Sequence, residues 1–558
     1  MLTKDNLIDI LLNLDMEIEK EDIIIEIPKD RTLGDYAMPC FGLAKKLHQN
    51  PNVIASNILD KIDKSKFDNI EIKNGYINFF LNKKEVVKSV ITSIINEKDN
   101  YASSNIGNGK NIVIDYSAPN IAKPFGVGHL RSTVIGNALK NIYKKLGYNV
   151  IGINYLGDCG TQFGKLIYAY ETWGNEEEVK KNPIKELNKL YVKFHEEAEK
   201  NPELNDMGRN IFKQLEDGNP KYTEIWKWFR DESIKEFQKT YDLLNIKDFD
   251  VWSGESFYIN PAKEIIKELE EKNLLEISEG ATIVNLGDDM TPALIKRTDG
   301  ATLYITRDLA ALFDRKEKYN FEEALYVVGN EQTLHFSQVK AVIKKMGYDF
   351  YNQIHHVPFG LVLQDGKKMS TRKGKTVSLH EVLVEAVELA KTYVESHISE
   401  NVDETSKMIG VGAVIFNDLK NYRTNDIDFN LQDILKFEGE TGPYLQYTYA
   451  RINSLLSHKI NTEINYNEII IDEYTWNIIF KLSDFENIII KAKEGYDPSL
   501  IAKYLLELAG LFNKFYANVK IIDNDEEMSA FRLNVALSTS IVIKEGLRIL
   551  GIETPNKM

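Results

Sequence analysis

The chain has 558 residues, of which 43% are hydrophobic and 27% charged, with a formal net charge of −15. That length exceeds a single hydrophobic core and predicts roughly three to five domains, while the composition excludes a disordered chain. The acidity excludes a nonspecific nucleic-acid coat protein, whose affinity rests on Lys and Arg neutralising phosphates, and leaves room only for a local basic track.

Two cysteines occur, Cys40 and Cys159, far apart and without paired spacing, so neither a disulfide framework nor a thiolate zinc site is expected. The first residues mix charged and apolar side chains, and no uncharged apolar run is long enough to cross a bilayer. A cytoplasmic protein with no membrane partner is expected.

In chain order, residues 1–105 read as a small α+β domain. The sequence turns helical after Pro39, and Asn74–Leu81 reads as a turn followed by a strand. A polar, turn-rich link from Glu97 to Gly109 marks a boundary. From there the apolar runs Ile112–Ile114, Asn149–Tyr155 and Ala324–Val328 alternate with helical patterns, which predicts a Rossmann-type parallel α/β sheet with ligands at the carboxyl ends of its strands.

Between about 172 and 250 the pattern changes to charged helices. Trp226, Phe229, Ile234, Phe237, Tyr241 and Leu244 recur there at helical spacing, as expected for the core stripe of an inserted helical subdomain. Ser378-Leu-His-Glu381 has the capping-box pattern of a helix start, and helices are expected from there to the end. Residues 501–516 are amphipathic, and Gly551 with Pro555 closes the last helix. The predicted organisation is therefore an N-terminal domain over 1–105, an α/β core over 106–375 with the insertion, a connecting helical segment over 376–435, and an all-α domain over 436–558.

Chemistry concentrates between Ser117 and Thr133, a strand, a turn and a helix start. Pro119 and Pro124 keep the turn extended, Gly126 and Gly128 remove side chains where a ligand approaches, and amides at the helix start face an anion. A Gly126-Val-Gly-His129 turn at such a junction suits a phosphate that gains charge during reaction. Alone the four residues are weak evidence, since a histidine beside a glycine turn is commonly structural.

A second element runs from Leu363 to Lys375 and carries five Lys or Arg within nine residues from Lys367. In isolation it is a solvated basic loop. Gly366 and Gly374 permit a mobile flap whose cations neutralise a triphosphate, and no P-loop pattern accompanies it.

Taken together, the Gly-x-Gly-His turn and the Lys368-Met-Ser370 loop resemble the two signatures of class I aminoacyl-tRNA synthetases. Pro119–Thr133, Leu156-Gly-Asp-Cys-Gly-Thr-Gln-Phe-Gly164, Tyr304-Ile-Thr-Arg-Asp308 and Met369–Gly374 narrow the resemblance to the arginyl-tRNA synthetase family. Gly34–Ala37, Glu440–Arg451 and Gly551–Met558 extend it over nearly the whole chain.

The resemblance implies activation of L-arginine by ATP with its Mg2+, then transfer to the terminal adenosine of arginine tRNA, by a monomer with no tightly bound protein metal. By motif, Gly126, Val127, Gly128, His129, Lys368, Met369 and Ser370 bind ATP. Thr371 stands where the loop signature usually has its second lysine, which implies that Lys123 contacts the α-phosphate, assisted by Arg372. A planar, permanently charged guanidinium needs fixed carboxylates; the resemblance assigns Glu255 and Asp308, with Tyr304 beside them and Asn120 and Gln332 at the α-amino and carboxylate end. It makes 1–105 a tRNA D-loop module presenting Tyr76 and Asn78. It also makes 436–558 an anticodon-binding domain presenting Tyr447 and Arg451, with Met558 a further tRNA contact.

Two positions depart from the family pattern. Gly126 stands where the first histidine of the turn is usual, and Cys159 where tryptophan is common. Losing one transition-state donor costs on the order of 3 kcal/mol. The rival readings are therefore a noncatalytic paralogue that binds tRNA or arginine, and a small-molecule nucleotidyltransferase, which would need no C-terminal helical domain.

Overall fold

The apolar run Ile112–Ile114 becomes the central strand, Asn111–Asp115, of a five-stranded sheet. The computed structural model describes residues 4–14, 16–246, 249–296, 304–364, 366–369, 371–372, 375–396, 401–458 and 463–558. Across this sheet the order is Ile354–Phe359, Glu323–Gly329, Asn111–Asp115, Asn149–Leu156 and Val251–Gly254, and every pairing is parallel. The chain starts in the middle, builds outward on one side, then returns to build on the other. The strand order thus reverses between Asn111–Asp115 and Glu323–Gly329, the kind of switch point beside which ligands bind at the carboxyl ends of parallel strands. The 117–133 segment leaves the central strand at that switch point.

These strands have no alternating polar face because helices cover both sides. One cover is Leu130–Lys145, in which Leu130, Val134, Ile135, Ala138, Leu139 and Ile142 are at most 2% exposed. Its first turn is tied down by a buried ion pair, Arg131 Nε to Asp418 Oδ2 at 3.2 Å, with Arg131 Nη1 donating to the Asn425 carbonyl at 2.7 Å. A second buried pair, Arg315 to Asp115 at 2.8 Å, fastens the helix Tyr304–Tyr319 to the end of the central strand.

The insertion comprises the helices Glu176–Lys181, Pro183–Lys200, Glu203–Glu216 and Pro220–Leu243. Phe229, Phe237, Tyr241 and Leu244 are buried, whereas Trp226 and Ile234 are half-buried. An antiparallel sheet of Leu275–Ser278, Ala281–Val284 and Ala293–Lys296, which the periodicity did not signal, follows the edge strand. Ser378 Oγ accepts from the Glu381 amide at 3.4 Å at the start of Leu379–Val394, as its sequence pattern predicts.

Residues 103–447, 489–503 and 546–558 form one compact unit that holds all of these features. Residues 1–102, 448–488 and 504–545 form a second unit. In it, Tyr36–Pro39, Tyr76–Leu81 and Phe67–Lys73 make an antiparallel sheet with Tyr76–Leu81 in the middle. Asn74 and Gly75 both have positive φ, 53° and 79°, which suits a two-residue hairpin turn. Trp476 Nε1 donates to Asp35 Oδ1 at 2.7 Å, and the Tyr101 hydroxyl donates to the Leu482 carbonyl at 3.0 Å, so helical residues near the end of the chain pack on its beginning. Among the described residues, no helix is long and apolar enough to cross a membrane.

Candidate active site

The segment after the central strand is strained. Ser117, Ala118 and Ala122 have φ of 74°, 46° and 57°, conformations that cost a residue with a Cβ roughly 1–2 kcal/mol each. Polar groups from distant elements offset that cost. The Ser117 amide donates to Ser132 Oγ at 2.8 Å, and Ser117 Oγ lies 2.8 Å from Thr133 Oγ1 and 2.7 Å from the Tyr241 hydroxyl. The Ala118 amide donates to Asn154 Oδ1 at 3.2 Å and the Ala122 amide to Ser233 Oγ at 2.9 Å. Ser233 and Tyr241 belong to the insertion helix, so its apolar stripe also braces this loop. Neither was identifiable from sequence, because the contact spans more than 100 residues.

Asn120 is exposed and pairs with Gly157 as an isolated bridge. A Cβ at Gly157 would stand 2.1 Å from Asn120 Oδ1, so a larger residue there would push the Asn120 side chain from its present position. Lys123 is half-buried, its ammonium 5.4 Å from the Tyr191 ring centroid, and burial lowers its pKa.

At the glycine turn, the Val127 amide donates to the Val377 carbonyl at 3.1 Å and the Leu379 amide to the Phe125 carbonyl at 2.8 Å. The turn is thereby zipped to the segment that follows the basic loop, and the Val127 amide is committed to the chain itself. Over Gly128 the space is open: a Cβ there would meet nothing within 4 Å. His129 Nδ1 lies 3.2 Å from the Gly126 carbonyl, which can only accept, so this nitrogen carries the proton and a neutral ring leaves Nε2 as a lone pair. Burial lowers the His129 pKa. Nε2 therefore becomes a donor to phosphate only when the ring is protonated.

Of the basic loop, Met369 is buried, and its amide donates to the Val362 carbonyl at 2.9 Å. The backbones of Lys368 and Arg372 lie in the short strands Lys367–Lys368 and Thr371–Arg372. Ser370 and the side chains of Lys368 and Arg372 lie outside the described residues.

Glu255 follows the edge strand, and Asp158 sets its turn. The Asp158 carboxylate accepts from the Ser256 amide and hydroxyl, both at 2.8 Å, and a Cβ at Gly254 would come within 2.3 Å of it. From the insertion, Trp226 Nε1 donates to the Asp158 carbonyl at 2.9 Å, and Arg230 Nε lies 3.7 Å from its carboxylate. Burial and the neighbouring Asp308 and Asp158 carboxylates push Glu255 up to about 7, against the opposing effect of Arg307. Asp308, one helical turn after Tyr304, lies with Oδ2 2.6 Å from His335 Nε2. Tyr304 is 59% exposed, with the Arg307 guanidinium carbon 5.1 Å from its ring centroid.

The fold thus brings Glu255, Tyr304 and Asp308 together, with Asp158, Arg307 and His335 as partners that motif reading had not assigned. Arg307 was present in the quoted Tyr-Ile-Thr-Arg-Asp run, but only the fold gives it Glu255 as a neighbour. Gln332 is exposed just past the strand Glu323–Gly329.

In the second unit, Tyr76 is half-buried against Phe41, with ring centroids 5.4 Å apart, while Asn78 is 5% exposed on the middle strand. On the helix Gly442–Leu455, Tyr447 is half-buried with its ring 6.5 Å from that of Phe437. Arg451 Nη1 donates to Asn513 Oδ1 at 3.2 Å, and its guanidinium carbon is 5.4 Å from the Tyr516 ring centroid. Met558 packs on the cluster of Ala390, Val394 and Ile409.

The family described as tRNA synthetases class I (R), catalytic domain, matches residues 90–431. The chain belongs to the arginyl-tRNA synthetase family. Two further families match its ends: the arginyl tRNA synthetase N terminal domain over 2–81 and the DALR anticodon binding domain over 445–558. The arginine–tRNA ligase of an Exiguobacterium species is 51% identical over 98% of this chain and 97% of its own. That of Pediococcus pentosaceus is 52% identical over 96% of this chain and 95% of its own. The Plasmodium falciparum arginyl-tRNA synthetase structure superposes with a TM-score of 0.82 at 27% identity, covering 99% of both chains. The Thermus thermophilus enzyme shares the fold, with a TM-score of 0.83 over 100% of both chains at 24% identity.

Proposed function

We propose that the chain is an arginine–tRNA ligase: the carboxylate of L-arginine attacks the α-phosphorus of ATP, pyrophosphate leaves, and the terminal adenosine hydroxyl of arginine tRNA takes the arginyl group with release of AMP. The observation that carries this reading is the convergence, at the carboxyl ends of one parallel sheet, of a glycine turn open to a phosphate and a pair of carboxylates suited to a guanidinium. The amino-acid carboxylate is already a competent nucleophile, so activation needs alignment and charge stabilisation at phosphorus rather than a general base. On this reading, Gly126, Val127, Gly128, His129, Lys368, Met369 and Ser370 bind ATP. Lys123 and Arg372 meet the α-phosphate.

Glu255 and Asp308 hold the guanidinium beside Tyr304, and Asn120 and Gln332 hold the other end of arginine. ATP enters as its magnesium complex. Tyr76, Asn78, Tyr447, Arg451 and Met558 face tRNA, with 1–105 serving the D-loop and 436–558 the anticodon. The protein acts as a cytoplasmic monomer.

A noncatalytic paralogue would bind tRNA without charging it. The test is ATP-dependent charging of arginine tRNA by the purified chain; tRNA binding with no arginylation overturns the enzyme reading. Lys123→Ala is expected to slow adenylate formation about a hundredfold with arginine KM unmoved, and an unchanged rate removes Lys123 from the α-phosphate.

A further inference from the structure

Glu255 and Arg307 form an ion pair in the acid pocket. Arg307 Nη2 lies 3.1 Å from Glu255 Oε2, the side chains being 8% and 16% exposed respectively. Arg307 Nη1 is 3.7 Å from Cys159 Sγ. Yet both Glu255 Oε2 and Arg307 Nε are buried without a hydrogen-bond partner, so the contact is an ion pair and not an aligned hydrogen bond. A buried acceptor and a buried donor left open in one pocket are costly unless a ligand completes them.

The groups facing Glu255 come from three elements. The helix Tyr304–Tyr319 contributes Tyr304, Arg307 and Asp308, the strand Asn149–Leu156 contributes Tyr155, and the loop after that strand contributes Asp158 and Cys159. Arg307 alone among these is a cation. Burial pushes the Cys159 thiol up to about 12, so it supplies no counter-charge. Glu216, from the insertion, faces Arg307 itself.

We infer that Arg307 is a positioning residue for the arginine pocket: it holds the Glu255 carboxylate in its charged form and in one orientation, so that a second guanidinium, the substrate's, can bind it at neutral pH. This rests on the assignment of Glu255 to the substrate guanidinium. A carboxylate has about four lone-pair sites, and a resident arginine held beside one oxygen by charge leaves the remaining sites for the incoming guanidinium. Burial and the Asp308 and Asp158 carboxylates favour the neutral form, and Arg307 is the main opposing influence. Below about pH 7 the carboxyl takes a proton and loses its attraction for arginine. Removing an adjacent cation raises a carboxyl pKa by about 1 to 3 units, which would leave Glu255 neutral at physiological pH.

The test is kcat/KM for arginine in the tRNA-charging assay from about pH 6 to 9.5, a quantity that reports groups of the free enzyme. The full chain, Arg307→Met, Arg307→Lys and Glu255→Gln are compared. The unmodified protein should show an acid limb near pH 7, and Glu255→Gln should erase it. Arg307→Met should move the limb up by at least about 1 unit and raise arginine KM roughly tenfold at pH 7, with ATP KM unchanged. A limb that stays in place in Arg307→Met but vanishes in Glu255→Gln overturns the positioning role. A limb and an arginine KM that survive in Glu255→Gln overturn the pocket assignment beneath it. Should Arg307→Met fail to fold, Arg307→Lys decides: the charge is kept but the shape that holds Glu255 in one orientation is changed, so arginine KM should rise about threefold or more with the limb in place, and an unchanged KM overturns the proposal.

Discussion

From Ser117 to Ala122 the backbone takes three left-handed conformations and is held by neutral hydrogen bonds from Ser132, Thr133, Asn154, Ser233 and Tyr241. Around Glu255 the backbone is extended or 3₁₀, and carboxylates carry the contacts: Asp158 faces Arg230, Glu255 faces Arg307, and Asp308 Oδ2 lies 2.6 Å from His335 Nε2. The difference follows from what each region meets. A loop that receives a polyanion gains from rigid, neutral support, because fixed carboxylates there would repel it. A pocket for a guanidinium has to concentrate negative charge, and the arginines beside Asp158 and Glu255 oppose the burial that favours the neutral form of those two acids.

Breaking the anchor behind the glycine turn should have the largest effect. Asp418→Ala strands Arg131 in the core and is expected to cost about 3–5 kcal/mol in urea unfolding; a loss below about 1 kcal/mol would mean the pair is not holding the helix. Next comes Asp308→Ala, expected to weaken arginine by about 2 kcal/mol or more, roughly thirtyfold in KM, with ATP KM little changed. Equal losses for both substrates would merge the two regions functionally.

Tyr241→Phe removes the hydroxyl shared by Ser117 and Asn154 and is expected to cost about 1–2 kcal/mol of stability. It should slow adenylate formation without raising arginine KM. Opposite pH limbs would sharpen the contrast further. Protonated His129 is the donor, and its pKa is lowered, so kcat/KM for ATP should rise only below the ordinary histidine range, whereas that for arginine falls below about pH 7. Profiles of the same sign for both substrates would reject this division.

The smallest effect is expected from Ala118→Gly. Glycine ordinarily weakens a chain by about 0.5–1 kcal/mol, but at φ 46° it relieves strain, so stability should hold or rise slightly in thermal unfolding.

Local sequence suffices for the strand–turn–helix around Ile112–Leu130, the parallel sheet and the amphipathic helices, because apolar period, glycine, proline and capping residues act over a few neighbours. It also carried the family, through motifs whose order survives without knowledge of their distances. Only the tertiary structure decided the partners. Ser233 and Tyr241 reach the strained loop, Asp158 sets the turn of Glu255, and Arg307 and His335 meet the two carboxylates, each through a contact made when elements far apart in the chain come together beside one sheet. Local periodicity says which face of an element is buried. Which polar group waits on the other side depends on strand order, and here the reversal beside Asn111–Asp115 decides it.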